Sequence, residues 1–144
     1  MNLREFRQDD TGAVADLWRL VFPDAPAHNL PEEDIRRKLF VQPELFLVAE
    51  EEGGLVGTTM AGYDGHRGWI YYVVVHPDHR RRGIGRALMG EAEGRLKVLG
   101  CSKANLQVRA GNDAAVDFYR SLGYQVEDRV SMGRLLAGPG KGRG

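Results

Sequence analysis

Residues 69–75 read WIYYVVV, an unbroken run of aromatic and β-branched side chains, and by residue 84 the apolar pattern repeats every three or four positions instead. The first run suits an extended strand. The second, carried by Ile84, Leu88, Ala92, Leu96 and Leu99, suits one face of a long helix, and Gly100 stands where a helix closes on a left-handed residue. Their junction, HPDHRRRGIGR, is the tightest constraint in the chain: Arg80, Arg81, Arg82 and Arg86 crowd around Gly83 and Gly85. The first turn of a helix presents N–H groups without intrahelical partners and the positive end of the helix dipole. Glycine removes the Cβ that would keep a ligand away from them. A strand, an arginine–glycine loop and a helix in that order therefore predict a phosphate site at about residues 81–86.

The arginines are a local feature, because the 144 residues hold 20 basic and 20 acidic side chains. That balance argues against a wholesale nucleic-acid or membrane-surface binder. Two familiar phosphate loops do not fit. The pattern G-x-x-x-x-G-K-[ST] needs a lysine and a hydroxyl that are missing here. The dinucleotide pattern G-x-G-x-x-G puts Leu88 in its third glycine position, and Lys103 and Asn105 stand where its acid would be. A third pattern, [QR]-x-x-G-x-[GA], is met by Arg80, Gly83 and Gly85.

The rest of the chain gives an alternation of strands and helices. LREFRQ (3–8) reads as a short strand, and Val14, Leu17, Trp18 and Val21 as a helix to about Phe22, with Asp9, Asp10 and Thr11 as cap candidates. PDAPAHNLP reads as a loop. Pro31, Glu32, Glu33 and Asp34 suit the start of a second helix ending near Phe40. LFLVAEEEGGLVGTTMAGY predicts two strands turning at Gly53-Gly54, and the run at 69–75 completes an antiparallel meander. KANLQVR (103–109) predicts a strand, and Asn112 caps a helix carrying Ala115, Tyr119 and Leu122, closed by Gly123. YQVEDRVSMGRLL predicts one or two final strands, and residues 138–144 a flexible tail. The order β-α-α-β-β-β-α-β-α-β predicts an α+β or mixed α/β fold, read as a single domain over 1–137.

VVVHPDHRRRGIGRALM resembles the signature of the GNAT superfamily of acetyl-CoA-dependent N-acetyltransferases. NDAAVDFYRSLGY is similar to a second family pattern, N-x-x-A-x-x-x-Y-x-x-x-G-[FY], through Asn112, Ala115, Tyr119, Gly123 and Tyr124. FLVAE, VGTTMAGYDGHRG and the tyrosine pair at 71–72 further resemble the small bacterial YpeA-type group. The resemblance implies a twisted, mostly antiparallel sheet of six or seven strands with about four helices, splayed between strands 4 and 5. It implies acetyl-CoA as cosubstrate and no metal. Its diphosphate would lie on the N–H groups of the loop from Arg81 to Arg86, with Arg80 and Arg82 beside it. Its pantetheine arm would pair with main-chain groups of Val73 and Val75, an added strand at a parted sheet. An N–H near Val75 would polarise the thioester carbonyl. Asn112 would contact the arm, and Tyr119 would protonate the departing thiolate.

The acceptor would be a small-molecule or peptide amine, and a homodimer is compatible with the resemblance. A lysine amine of pKa ~10.4 costs roughly 4 kcal/mol to deprotonate at neutral pH, so a general base is useful. Relatives acting on a ribosomal protein carry a glutamate where Gln107 stands, and many others carry one where Tyr71 and Tyr72 stand. His66, Asp64, and water held by Tyr71 or Tyr72 remain the candidates. The missing carboxylate leaves open an alternative, a non-catalytic module that binds coenzyme A as a sensor or scaffold. Cys101 is the only cysteine, which excludes an intramolecular disulfide and a thiolate zinc site. With no leader and no apolar run of ~20 residues, the expected location is the cytoplasm.

Overall fold

The computed structural model describes residues 1–25 and 30–137. Residues 26–29 of the proline loop and the tail at 138–144 lie outside the described residues. Among those described, the chain resolves into two units, residues 1–25 with 30–107, and residues 108–137.

The first unit is a five-stranded sheet in the order β1 (Asn2–Glu5), β2 (Phe46–Glu51), β3 (Gly54–Tyr63), β4 (Gly68–Val75) and β5 (Ala104–Leu106). β1 to β4 pair antiparallel, and β4 pairs with β5 in parallel. The predicted meander forms, and its first turn is made by Glu52 (φ 53°) and Gly53 (φ 81°), two left-handed residues that suit a tight hairpin. α1 (Thr11–Val21) and α2 (Pro31–Lys38) cover one face. Val14, Trp18 and Ile35 are buried there with Phe6, Phe46, Val48, Met60 and Val74, and the Phe6 and Phe46 rings stack at 4.3 Å.

α3 (Ile84–Val98) covers the opposite face. The alternation of β3 shows this directly: Thr58 meets Trp18 of α1, whereas a Cβ on its neighbour Gly57 would lie 3.0 Å from Leu88 and 3.1 Å from Ile84 of α3. Gly68 likewise leaves room for Leu96 and for the thiol of Cys101.

Beyond Phe46, β2 no longer flanks β3, and side chains take over its edge. Gln42 accepts from the Tyr63 N–H (2.8 Å) and donates to the Tyr63 carbonyl (3.1 Å). The Lys38 ammonium, buried and with its pKa lowered by that burial, donates to the Ala61 carbonyl. The unpaired edge is thereby closed to other strands.

The second unit contains α4 (Asp113–Ser121). Asn112 caps it as expected, its Oδ1 accepting from Ala115 N–H at 3.2 Å, and Gly123 closes it at φ 100°. The sequence reading differs from the structure in its strand count. Six or seven strands were expected and five form, because residues 124–136 enter no ladder among the described residues. Val126, Val130 and Met132 alternate with polar residues, yet alternation records only which side chains would share a face. The charged run Glu127-Asp128-Arg129 breaks the pattern at its centre, and these apolar side chains stay exposed.

The sheet is anchored at its β1 end by an ion cluster. Arg4 grips both oxygens of Asp10 (2.8 and 2.9 Å) and reaches Glu50 (3.0 Å), while Arg7 N–H donates to Asp10 (2.7 Å). The Arg4 hydrogen bond, followed by that from Arg7 N–H, holds the Asp10 carboxyl below its ordinary range against the cost of burial. Asp10 therefore contributes stability above the ordinary carboxylate pKa, and loses it as pH falls through the lower folded value. Asp10→Asn should cost about 1–2 kcal/mol at pH 7. The difference from the parent chain should shrink once the pH falls below the ordinary carboxylate range, measured by urea denaturation across pH.

Candidate active site

The site is built where β4 and β5 stop pairing. Their register runs Gly68↔Ala104, Trp69↔Asn105 and Ile70↔Leu106, and β4 then continues alone to Val75. This is the expected splay between strands 4 and 5.

An irregularity decides which atoms face the gap. On the β3 side, Met60 pairs with Tyr71 and Thr58 with Val74, so β3 advances two residues while β4 advances three. The extra residue falls at Tyr72, whose φ of 53° is left-handed. A non-glycine residue held there stores roughly 1–3 kcal/mol of strain. Hydrogen bonding in an antiparallel ladder alternates between partners. His76 N–H donates to Val56 O at 2.8 Å, so counting back along the register turns Val74 toward β3 and Val75 away from it. At the other end Asp64 N–H donates to Arg67 O, which turns Tyr71 toward β3. The bulge reverses the phase of β4 between them. Val75 main-chain groups consequently face the gap, and the Val75 carbonyl accepts from Arg80 Nε at 3.2 Å.

The strand leads through a short 3₁₀ turn (Pro77–His79) into the arginine loop. Arg81 (φ 66°) and Gly83 (φ 80°) are both left-handed, a curl that gathers successive N–H groups into a concavity. Gly83 caps α3, no acidic residue occupies the first turn, and the helical ladder begins only with Ala87 N–H donating to Gly83 O (3.0 Å). Gly85 lies in that first turn. Arg81, Arg82 and Arg86 are exposed. The four arginines nevertheless differ. Arg80 is bonded to Val75, and Arg82 pairs with Glu51 at 3.1 Å, where His79 Nδ1 also meets the same carboxylate oxygen at 3.0 Å. The His79 and Arg82 contacts hold the Glu51 carboxyl below its ordinary pKa. Glu51 thus ties the loop to the β2–β3 hairpin, a role nothing in its run of three glutamates marked.

The base candidates are separated. Asp64 accepts the N–H groups of His66 and Arg67 (2.7 Å each), which lowers its carboxyl pKa and makes it a poorer base. Both Asp64 and His66 sit in the β3–β4 turn, at the far end of β4 from the loop, and a strand of that length spans roughly 20–25 Å. The Tyr72 hydroxyl donates to Asp34 (2.6 Å), and burial together with that carboxylate pushes its pKa up. Tyr71 is half exposed on the same strand. Glu32 and Glu33 of α2 are matched by Arg19 and by Arg36 and Arg37, so they form no free anionic patch. In the second unit Tyr119 is partly buried and its phenol pKa is raised by that burial. No group of metal-binding side chains occurs among the described residues. No helix among them is long and apolar enough to cross a membrane.

A parted parallel strand pair thus lies beside a glycine-capped helix start. Residues 12–124 match the acetyltransferase (GNAT) family. An acetyltransferase of Pectobacterium atrosepticum is 49% identical over 136 residues, covering 94% of this chain and 96% of that one. Two solved structures share the fold. Ard1 of Thermoplasma volcanium has TM-score 0.76 and 27% identity over 88% of this chain and 83% of its own. AAC(6')-Iy, solved with a bisubstrate analogue of coenzyme A and acetylneamine, has TM-score 0.78 and 17% identity over 93% and 97%. The chain belongs to the acetyltransferase (GNAT) family and is an acetyltransferase.

The cap glycine and a mid-helix glycine of α3 make opposite demands. Gly83→Val must hold a left-handed backbone and should cost roughly 1–2 kcal/mol. Gly90, exposed in mid-helix with open space around its Cβ position, should gain roughly 0.5–1 kcal/mol on change to Ala. Urea denaturation of the two variants checks the contrast.

Proposed function

We propose that the chain transfers the acetyl group of acetyl-CoA to a primary amine by direct attack. The observation that carries this reading is the turning of Val75 toward the β4–β5 gap, directly upstream of the Arg81–Gly83 curl. The two features are joined by the short segment His76–Arg80, so an extended carrier can meet both. The family match spans 12–124, which supports reading 1–137 as one domain. The curl and the first-turn N–H groups of Ile84, Gly85 and Arg86 hold the diphosphate, with Arg81 and Arg86 adding charge. Val73 and Val75 pair with the pantetheine arm, and Asn112 contacts it. The Val75 N–H polarises the thioester carbonyl.

The neutral amine attacks that carbonyl, the C–N bond forms, and the C–S bond breaks. Tyr119 gives its proton to the thiolate, the amine releases one proton to solvent water, and the Tyr119 phenolate regains a proton from that solvent. Burial raises the Tyr119 phenol pKa, which favours the protonated state a proton donor needs. The base role passes to water, because Asp64 is held in its turn and the Tyr72 hydroxyl is engaged by Asp34.

Calorimetry with acetyl-CoA tests the cofactor half: saturable binding at tens of micromolar ligand is expected, and no heat at that concentration would overturn it. Thiol release across peptide α-amines, lysine, polyamines and aminoglycosides identifies the acceptor class. Tyr119→Phe should lower kcat by roughly 10²-fold and leave acetyl-CoA affinity within about threefold. An unchanged kcat removes Tyr119 from the mechanism.

A further inference from the structure

The bulge in β4 is held by residues outside the arginine–glycine loop motif and the Asn112–Tyr124 motif. Thr58, fully buried on β3, donates its hydroxyl to the Tyr72 carbonyl at 2.9 Å and accepts from Trp18 Nε1 at 3.0 Å. The Tyr72 ring lies flat on Trp18, with centroids 3.7 Å apart and planes 6° apart, and Phe22 meets its edge at 6.3 Å. Its hydroxyl donates to Asp34 of α2 at 2.6 Å. One left-handed residue is thus gripped by its carbonyl, its ring face, its ring edge and its hydroxyl. The grip comes from β3, α1 and α2 together.

We propose that Thr58, Trp18 and Asp34 are positioning residues that fix Tyr72 in the left-handed conformation, and thereby fix Val75 toward the strand gap. The chain of cause is geometric. If Tyr72 relaxed to an extended conformation the extra residue would be absorbed elsewhere, and β4 would resume simple alternation from Tyr71. Val74 would then face the gap and Val75 would face β3. The proposed phosphate curl at Arg81 and Gly83 lies beyond the end of β4, six or more residues past Val75. Acyl transfer should therefore fall further than cofactor affinity, which loses contacts to the arm and keeps those to the diphosphate. The inference rests on the proposed reading of the gap as the site of the acyl carrier.

Thr58→Val keeps the shape of the side chain and removes both hydrogen bonds of the hydroxyl. It should lower kcat by roughly 10- to 100-fold, with the calorimetric affinity for acetyl-CoA within about fivefold of the parent chain. Thr58→Ser keeps the hydroxyl and should recover most of the rate. The Val75 backbone amide resonance should move in Thr58→Val and return in Thr58→Ser. A parental kcat in Thr58→Val, or equal losses in both variants, would overturn the inference. Should Thr58→Val fail to fold, Tyr72→Phe removes only the bond to Asp34. A several-fold drop in kcat with a displaced Val75 resonance supports the inference, and a parental rate with an unmoved resonance overturns it. Failure of the parent chain to bind acetyl-CoA would bring down the functional reading as well. Parental binding and turnover matched by Thr58→Val would sink the positioning role alone.

Discussion

One additional residue in β4 controls the phase of the sheet at the site. Gly68 packs against Leu96 on the α3 face, and Val74, an even number of residues later, lies in the Trp18 cluster on the other face. In a regular strand these two would share a side. The bulge at Tyr72 exchanges faces and reverses the direction of the main-chain groups in the same step. Because β5 leaves β4 after Ile70, the reversed groups open onto a gap instead of a neighbouring strand. Bulge and splay are each ordinary departures from a ladder. Together they create a row of directed donors and acceptors that the protein leaves outside its own β3–β4 and β4–β5 pairings.

Charge follows a similar economy. The arginines of the loop resemble a uniform cationic patch in one dimension, but Arg80 is bonded to Val75 and Arg82 to Glu51. Arg81 carries the left-handed backbone of the curl, and Arg86 stands on the exposed side of the first helical turn. The acids of α2 are likewise met by Arg19, Arg36 and Arg37, or by the Tyr72 hydroxyl. Exposed pairs of this kind contribute little to stability, typically under ~1 kcal/mol. Their effect is to orient side chains and remove stray fields, leaving the helix dipole and N–H groups of α3 as the directed positive feature of the loop.

The helix starts and ends were legible because they rest on local chemistry. Asn112, Gly83, Gly100 and Gly123 each perform at their own position the task that their side chain, or its lack, suits them for. The meander was legible because β-branched runs separated by glycine turns leave few alternatives. The final strands were not, since a ladder needs a partner edge and the alternation of Val126, Val130 and Met132 does not specify one. The bulge was also illegible. Thr58, Tyr72 and Asp34 lie 14 and 38 residues apart, and their meeting is a product of the finished fold. The base candidates Asp64 and His66 drew attention by residue type, and they lie in the β3–β4 turn, at the end of β4 opposite the arginine loop.

The glycines sharpen this distinction between what touches a ligand and what positions it. Gly83 and Gly85 stand in the arginine loop, where the proposed phosphate would approach their backbone. Gly57 and Gly68 stand outside that loop, yet a Cβ at either would press within about 3 Å of α3 or Cys101. Their bareness lets the helix lie close to the sheet, which carries its N-terminal N–H groups to the end of β4. A lengthened helix–sheet distance would move the phosphate curl relative to Val75 without altering a residue of either. The separation between the two ends of the proposed carrier is therefore set in the packed face of β3 and β4, by side chains that were never there.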